Sequence, residues 1–144
     1  MDNQQLCNLF TNNQIQVLLT GVLGDGCFNR DKRVHHNLYL ASSIHKEYME
    51  LKKQLLGDLT SQEVRTNINN GYKKGTIYTI RTVTREEFQY IKTAPIATII
   101  QLMDELGLAL WVYDDGSLHK NKGYYNIYTC SHDIETHENV FVPF

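Results

Sequence analysis

Two stretches of the chain carry apolar residues at helical spacing and then end in acidic residues and a glycine. In residues 15–22 the apolar positions follow the i, i+3, i+4, i+7 pattern of a helix with one buried face, and Asp25 follows it. Residues 108–112 are apolar and lead into Asp114 and Asp115. Because the helix dipole disfavours negative charge at a C-terminus, we expect a cation to balance these carboxylates.

After each of these helices the apolar positions change to the period of a strand. Residues 28–42 predict two strands around a charged turn, and residues 64–69 and 76–83 predict two more. Between the pairs, the apolar spacing from Ile44 to Leu55 predicts a helix that Gly57 ends. The whole order is helix, strand, strand, helix, strand, strand, helix, and then helix, strand, strand.

The second half of the chain repeats the first. Asn37-Leu38-Tyr39 matches Asn126-Ile127-Tyr128 at an offset of about 89 residues, and Ile44 matches Ile134 at an offset of about 90. We therefore predict an α+β fold, a pseudo-two-fold repeat of helix-strand-strand-helix-strand-strand units. It would form one domain over residues 1–144, with a first repeat at 14–92 and an incomplete second repeat at 95–144.

Small residues on the two acid-ended helices predict that these helices pack against each other. Thr20, Gly21 and Gly24 lie on the first helix and Ala109 on the second. A surface of small residues lets another helix backbone approach closely. Packed this way, the two helices would bring their acidic ends together.

Composition predicts a folded intracellular protein. The chain has 144 residues, of which 42% are hydrophobic and 21% charged, enough for a domain with a buried core. It has no apolar run of membrane-spanning length and no secretory signal. Its three cysteines lack metal-ligand spacing, which indicates reduced thiols. We expect the cytoplasm or an organellar matrix, and no membrane partner.

The net charge of −2 hides a segregation of charge along the chain. Residues 29–92 hold 12 Lys and Arg against 7 Asp and Glu, and the remainder holds 2 against 9. A basic middle can bind an anion while the chain as a whole stays mildly acidic. Ordinary variation in surface charge is the alternative explanation.

The two acidic ends predict a metal site for phosphodiester chemistry. If Asp25 and Asp115 meet, their repulsion favours a bound cation. Mg²⁺ takes oxygen ligands from one or two carboxylates together with phosphate and water, and such ions promote phosphodiester cleavage. The string at residues 35–37 superficially resembles a His-Asn-His nuclease motif but lacks its spacing, and neither acidic stretch fits an EF-hand.

Residues 111–117 resemble the second motif of the LAGLIDADG homing endonucleases, and residues 21–26 resemble the first. The likeness is to the single-chain type with two motifs and covers roughly residues 14–138, with Thr20 where many members have glycine. It implies a site-specific DNA endonuclease that serves the mobility of an intron or intein. The family's metal dependence implies Mg²⁺ or another divalent cation such as Mn²⁺.

The same resemblance implies roles for particular residues. The last acidic residue of each family motif binds the metals, which points to Asp25 and Asp115. The preceding residues, Gly24 and Asp114, would add backbone carbonyls. Lys92, near Pro95, matches the family's basic residue and would polarise the scissile phosphate or a bound water.

The family sheet lies in the major groove of double-stranded DNA, and strand alternation assigns a DNA side here. We expect Lys52, on the outer helix, to lie away from DNA. The expected DNA-binding residues are Asn29, Arg33, Asn37, Tyr39, Arg65, Asn67, Asn69, Lys73, Lys74, Arg81, His119, Asn126 and Tyr128.

The short second half leaves a second function open. The chain fits either a metal-dependent endonuclease or a truncated or decayed DNA-binding protein or RNA splicing maturase of the same fold that does not cleave. We expect a monomer with internal pseudo-symmetry, and self-association through apolar surface that the short second half leaves exposed.

Overall fold

The computed structural model describes residues 1–24, 26–69, 75–119, 124–127 and 134–141. Its helices are α1 (Asn3–Leu9), α2 (Asn12–Leu23), α3 (Lys46–Leu56), α4 (Phe88–Lys92), α5 (Ile96–Leu102), α6 (Glu105–Asp115) and α7 (Ile134–Thr136), with a 3₁₀ turn at Gly57–Leu59 and a π-helical turn at His137–Phe141. Its strands are β1 (Cys27–Arg30), β2 (Asn37–Ser43), β3 (Arg65–Asn69), β4 (Gly75–Arg81), β5 (Gly116–His119) and β6 (Tyr124–Ile127).

Within these ranges the strands form an antiparallel sheet in the order β1-β2-β4-β3 and a separate hairpin of β5 and β6. In the larger sheet Phe28 pairs with Tyr39 and Ala41 pairs with Ile80, and all four are buried. Directly opposite residues lie on one face of an antiparallel pair, so these residues mark the face that packs on the helices. The alternate positions form the open face, which includes Asn29, Leu40, Ser42, Arg65, Asn67, Thr79 and Arg81.

Helix α2 is the centre of the fold and is buried on all sides. Besides its apolar residues, it buries Gln14, Gln16 and Thr20. The Gln14 amide donates to the Leu56 carbonyl at 2.9 Å, and the Gln16 amide donates to the Leu102 carbonyl at 2.9 Å. Because buried polar groups are costly unless they are hydrogen-bonded, these amides hold α2 in register with both the first and the second half.

An aromatic cluster joins α2's neighbours to the sheet. The ring centroids of Phe28 and Tyr39 are 5.5 Å apart, and Phe88 lies 5.8 Å from Phe28 and 5.9 Å from Phe10. All four side chains are buried. Offset and edge-to-face aromatic contacts of this kind add to the burial of apolar area, so the cluster fixes α4 and the first strands against the N-terminal helices.

The predicted α+β fold is confirmed, and its predicted helices and strands appear in the predicted order, with α1, α4 and α7 in addition. One helix start differs from the prediction, because a side-chain cap determines it. The apolar stretch of the second motif begins at Leu108, but α6 begins three residues earlier, at Glu105. The Asp104 carboxylate accepts the Gly107 backbone N–H at 3.0 Å and so caps the helix one turn earlier.

The buried face of α3 was predicted only in part. Its apolar spacing placed Ile44, Tyr48, Leu51 and Leu55 inside, and Tyr48 is buried, yet Ile44 and Leu51 are 69% and 45% exposed. Besides Tyr48, the helix buries Met49, Lys52 and Leu56. Lys52 therefore lies inside the protein and not on an outer surface, because its ammonium finds a buried carboxylate on α6.

Candidate functional site

The two motif helices, α2 and α6, pack side by side, as their sequences predict. Helix α6 buries Gly107, Leu110 and Trp111 along one side. A Cβ atom at Gly107 would overlap the Oε1 atom of Gln16 on α2. Glycine at this position therefore permits the close approach of the two helices.

The small residues that make this contact differ from the expected set. Ala109 is exposed on the far side of α6, and Gly21 faces the sheet. A Cβ atom at Gly21 would overlap the Tyr39 ring, and one at Gly26 would overlap the same ring. Gly21 thus makes room for a strand residue, whereas Gly24 makes room for α6.

The ends of α2 and α6 meet at Gly24 and Asp114. A Cβ atom at Gly24 would lie 2.9 Å from the Oδ2 atom of Asp114. Each helix leads at once into the first strand of its unit, α2 into β1 and α6 into β5. Asp115 is half-buried as the last residue of α6. Asp25, which follows Gly24, lies outside the described residues.

The Asp114 side chain is fully buried in an ion pair. Its two carboxylate oxygens each lie 3.3 Å from the Lys52 ammonium. The Tyr48 hydroxyl donates to its Oδ1 atom at 2.5 Å. We call Tyr48, Lys52 and Asp114 the buried triad. The sequence predicted a cation beside the carboxylates that end the motif helices. For Asp114 that cation is the Lys52 ammonium.

The sequence contained a usable signal for the buried triad. Tyr48 and Lys52 are four residues apart on one helix and so lie on the same side of it. A carboxylate at the end of an apolar helix requires a cation. Nothing in the spacing of residues showed which of the basic side chains would supply it, because Lys52 and Asp114 are 62 positions apart in the chain.

The open face carries several of the expected DNA-binding residues. Asn29, Arg65, Asn67 and Arg81 are exposed there. Between Arg65 and Arg81 the Ser42 and Thr79 hydroxyls are hydrogen-bonded to each other at 2.9 Å. The face therefore offers guanidinium, amide and hydroxyl groups side by side, the groups that contact phosphates and base edges.

Arg33 extends this basic surface beyond the strands. It lies in the turn between β1 and β2, and its side chain is 89% exposed. The Arg33 backbone N–H donates to the Asp31 carboxylate at 2.8 Å, which holds the pKa of Asp31 below its ordinary value. The turn is thus ordered by its own acidic residue, while the Arg33 guanidinium is presented to solvent.

Two residues assigned to the DNA side lie on the wrong face. Asn37 and Tyr39 are 3% and 0% exposed and face the helices. The Asn37 amide donates to the Gln89 side chain at 2.7 Å, and Tyr39 packs under Gly21. The residues of β2 on the side of the open face are the alternate ones, Leu38, Leu40 and Ser42, which the sequence interpretation missed.

The remaining expected residues divide by position. Lys92 is exposed at the end of α4, which packs on α2 and β2. Asn69 ends β3, and its pairing with Gly75 puts it on the open face. His119 and Asn126 lie on one face of the β5–β6 hairpin by its register. Three further expected residues, Lys73, Lys74 and Tyr128, lie outside the described residues.

Oxygen donors dominate the place where the motif helices end. The groups that these residues could offer a cation are the Asp115 carboxylate and the backbone carbonyls of Gly24 and Asp114. Hard divalent cations prefer such ligands to nitrogen or sulfur. In the part of the chain that the structure describes, no three His, Cys, Asp or Glu side chains lie close enough together to hold a metal ion. A cation held here would therefore need ligands beyond Gly24, Asp114 and Asp115.

The chain matches known proteins in sequence pattern and in fold. The model of the LAGLIDADG DNA endonuclease family matches residues 15–143. The homing endonuclease I-WcaI, solved bound to its DNA recognition sequence, has a similar structure with a TM-score of 0.62 and 19% sequence identity. That match covers 76% of this chain and 54% of the I-WcaI chain, so this chain corresponds to about half of that protein.

Two further comparisons add less. No curated protein sequence matches the chain significantly. Over the described ranges, no helix combines the length and apolar character that crossing a membrane requires. The family model nevertheless spans both acidic motifs and all the strands between them, and the chain therefore belongs to the LAGLIDADG DNA endonuclease family.

Proposed function

We propose that the protein is a site-specific DNA endonuclease that hydrolyses phosphodiester bonds with a divalent cation bound between Asp25 and Asp115. The observation that carries this proposal is the contact of Gly24 with Asp114. Each of these residues immediately precedes a motif aspartate in the sequence. A close approach of the two preceding residues is what a shared cation would need.

The proposed centre has a simple division of roles. Asp25 and Asp115 would bind the cation, Mg²⁺ or another such as Mn²⁺, with the carbonyls of Gly24 and Asp114 as further donors. A cation bound there supplies Lewis-acid polarisation of a phosphate and acidification of a bound water. Lys92, which is exposed, would polarise the scissile phosphate or that water.

The open face is the proposed DNA surface. Neighbouring strands are about 4.8 Å apart, and the major groove, about 12 Å wide, admits a two-stranded ribbon. Arg33, Arg65 and Arg81 would neutralise phosphates, and Asn29 and Asn67 would read base edges. We propose double-stranded DNA in the major groove as the partner and a cytoplasmic or organellar site of action.

The two repeats would then share one cleavage centre. The unit at 14–92 supplies Asp25 and the four-stranded sheet, and the unit at 95–144 supplies Asp115 and the β5–β6 hairpin. In this arrangement most of the DNA contacts come from the first unit, because its open face carries the exposed arginines. We further propose a monomer as the active form.

Cleavage of a defined plasmid tests the proposal. The substrate carries the two sequences that flank the gene joined without it, and the control plasmid carries the interrupted locus. We expect linear product from the joined locus with Mg²⁺ and none with EDTA or from the control. Specific binding without any cleavage in Mg²⁺ or Mn²⁺ would contradict the endonuclease and favour a non-cleaving member of the same fold.

A further inference from the structure

We propose that the buried triad, Tyr48, Lys52 and Asp114, positions the metal-binding end of α6. This inference rests on the proposed function, since it concerns how Asp115 is held for a divalent cation. The side chains of the triad are positioning groups: they bind each other, and the proposed cation would take only the backbone carbonyl of Asp114. No other part of the described structure buries a charged pair: the side chains of Lys52 and Asp114 are 1% and 0% exposed.

The location of the triad allows it to hold the C-terminal end of α6 in place. Asp114 is the penultimate residue of α6, in the last turn, where helices fray most readily because their carbonyls lack partners. Two contacts from Lys52 and one from Tyr48 fix its carboxylate. Successive residues of a helix point about 100° apart, so fixing Asp114 inward also fixes the direction of Asp115.

The triad also ties this helix end to the other motif. The Asp114 carboxylate lies against Gly24, the residue before Asp25. Lys52 and Tyr48 come from α3, which packs on α2. Asp114 is therefore held between α2 and α3. The distance between the ends of α2 and α6 depends on where Lys52 holds the Asp114 carboxylate.

Charge gives a second reason for the lysine. Without Lys52 the end of α6 would carry two adjacent carboxylates at the negative end of the helix dipole. The Lys52 ammonium balances the charge of Asp114 in the interior, which removes one of the two negative charges from this helix end. Tyr48 supports the arrangement, since its ring also lies under the ammonium at 4.6 Å.

The test separates positioning from stability. The double variant Lys52→Met/Asp114→Leu replaces the pair by apolar groups, which preserves folding where a lone buried charge would not. Four quantities are measured: the melting temperature, the Mn²⁺ affinity by electron paramagnetic resonance, the single-turnover cleavage rate at saturating DNA, and the DNA affinity in EDTA. The control is Lys46→Met, which replaces an exposed lysine on the same helix.

We expect the double variant to melt near the parent temperature and to bind DNA in EDTA as the parent does. Its Mn²⁺ affinity and its cleavage rate should each fall by about tenfold or more, because small displacements of a reacting group are costly. Lys46→Met should change none of the four. Parental Mn²⁺ affinity and cleavage rate in the double variant would overturn the inference and leave the triad a stability element.

A gentler variant covers the case in which the double variant fails to fold. Tyr48→Phe keeps the ring and removes one donor to Asp114, and we expect Mn²⁺ affinity to fall by about threefold. An unchanged affinity would overturn the inference. A parent chain that binds Mn²⁺ but never cleaves would overturn the proposed function alone, whereas a parent chain that does neither would overturn both.

Discussion

Lys52 shows how one buried charge can decide the local structure around it. Its ammonium would be prohibitively costly in an apolar core without a partner. Asp114 and the Tyr48 hydroxyl supply that partner, and the result is a helix α3 whose buried side includes a lysine while Ile44 and Leu51 face solvent. The pair links residues from the two repeats and lies next to Asp115.

At the residue scale we predict that Lys52→Met destabilises the fold strongly. Removing the ammonium leaves the Asp114 carboxylate buried without its charge partner, which costs about 3–5 kcal/mol. The measurement is the free energy of unfolding from urea titration. Adding Asp114→Leu should recover most of the loss, and a single variant within about 0.5 kcal/mol of the parent would contradict the burial of this pair.

The residue scale is also where sequence interpretation failed. In β2 the polar residue Asn37 and the aromatic Tyr39 alternate with Leu38 and Leu40, so alternation assigned the polar set to the DNA side. The structure buries Asn37 because Gln89, 52 positions away, accepts its amide. A hydrogen bond between residues so distant in the chain leaves no mark in the local pattern.

At the element scale, the packing of α2 on α6 depends on glycine at one crossing point. A Cβ atom at Gly107 would meet the Gln16 side chain, whose Oε1 atom accepts the Asp104 backbone N–H at 3.0 Å and whose amide is also bonded. Gln16 therefore cannot move aside without losing hydrogen bonds. The contact between the helices is as tight as the small residues allow.

We predict that Gly107→Ala lowers stability by about 1–3 kcal/mol through overpacking, in spite of alanine's better helix propensity. Urea unfolding measures the change. Gly75→Ala is the matched control, because a Cβ atom there has no atom within 4 Å. Equal effects of the two substitutions would show that the α2–α6 crossing is not tight.

The cap of α6 predicts an acid dependence of stability. Burial raises the pKa of Asp104, but hydrogen bonds from the Asn12 amide and the Gly107 backbone N–H outweigh it, so its pKa lies below the ordinary 3.8. A carboxylate with a depressed pKa stabilises the fold above the unfolded pKa and loses that contribution as the pH falls through the folded pKa. This contribution should thus be complete above about pH 4.

The check compares parent and Asp104→Asn by urea unfolding as a function of pH. The stability difference should be constant from pH 7 to about 4.5 and change only below about pH 4, where the parent carboxylate becomes protonated. A difference that instead changes near neutral pH would assign the acid dependence to another group.

The sequence predicted the helices and strands better than it predicted which side of each is buried. Gly57 ends α3 as expected, with a positive φ of 54°, and the repeat in sequence reappears as two helices that each lead into a strand pair. Hydrophobic period and glycine are local signals and suffice for this. The start of α6 depended on a side-chain cap, and the buried side of α3 depended on a distant carboxylate. Neither has a periodic signature.

At the scale of the whole molecule, charge and topology agree. The excess of Lys and Arg in residues 29–92 includes arginines of the open face, opposite the helices. The acidic remainder includes the motif end at Asp115. A nuclease would need this separation, since the DNA backbone requires cations and the metal requires anions.

We predict that Arg65→Ala and Arg81→Ala each weaken DNA binding across all sequences and reduce the slope of log affinity against log salt by about 1, because each removes one phosphate contact. Fluorescence anisotropy at several salt concentrations measures this. Lys46→Ala, an exposed lysine on the opposite side of the sheet, is the control. An equal loss from Lys46→Ala would show that binding is not confined to the open face.

The most direct test of the account compares the parent with Asp25→Asn and Asp115→Asn in single-turnover cleavage of the joined-locus plasmid with Mg²⁺. If one centre requires both carboxylates, each variant should cleave at least about a hundredfold more slowly than the parent. Both should bind the DNA in EDTA with parental affinity, since the proposed phosphate contacts come from Arg33, Arg65 and Arg81. Cleavage at the parental rate by either variant would contradict a shared metal centre at the meeting of the two motif helices.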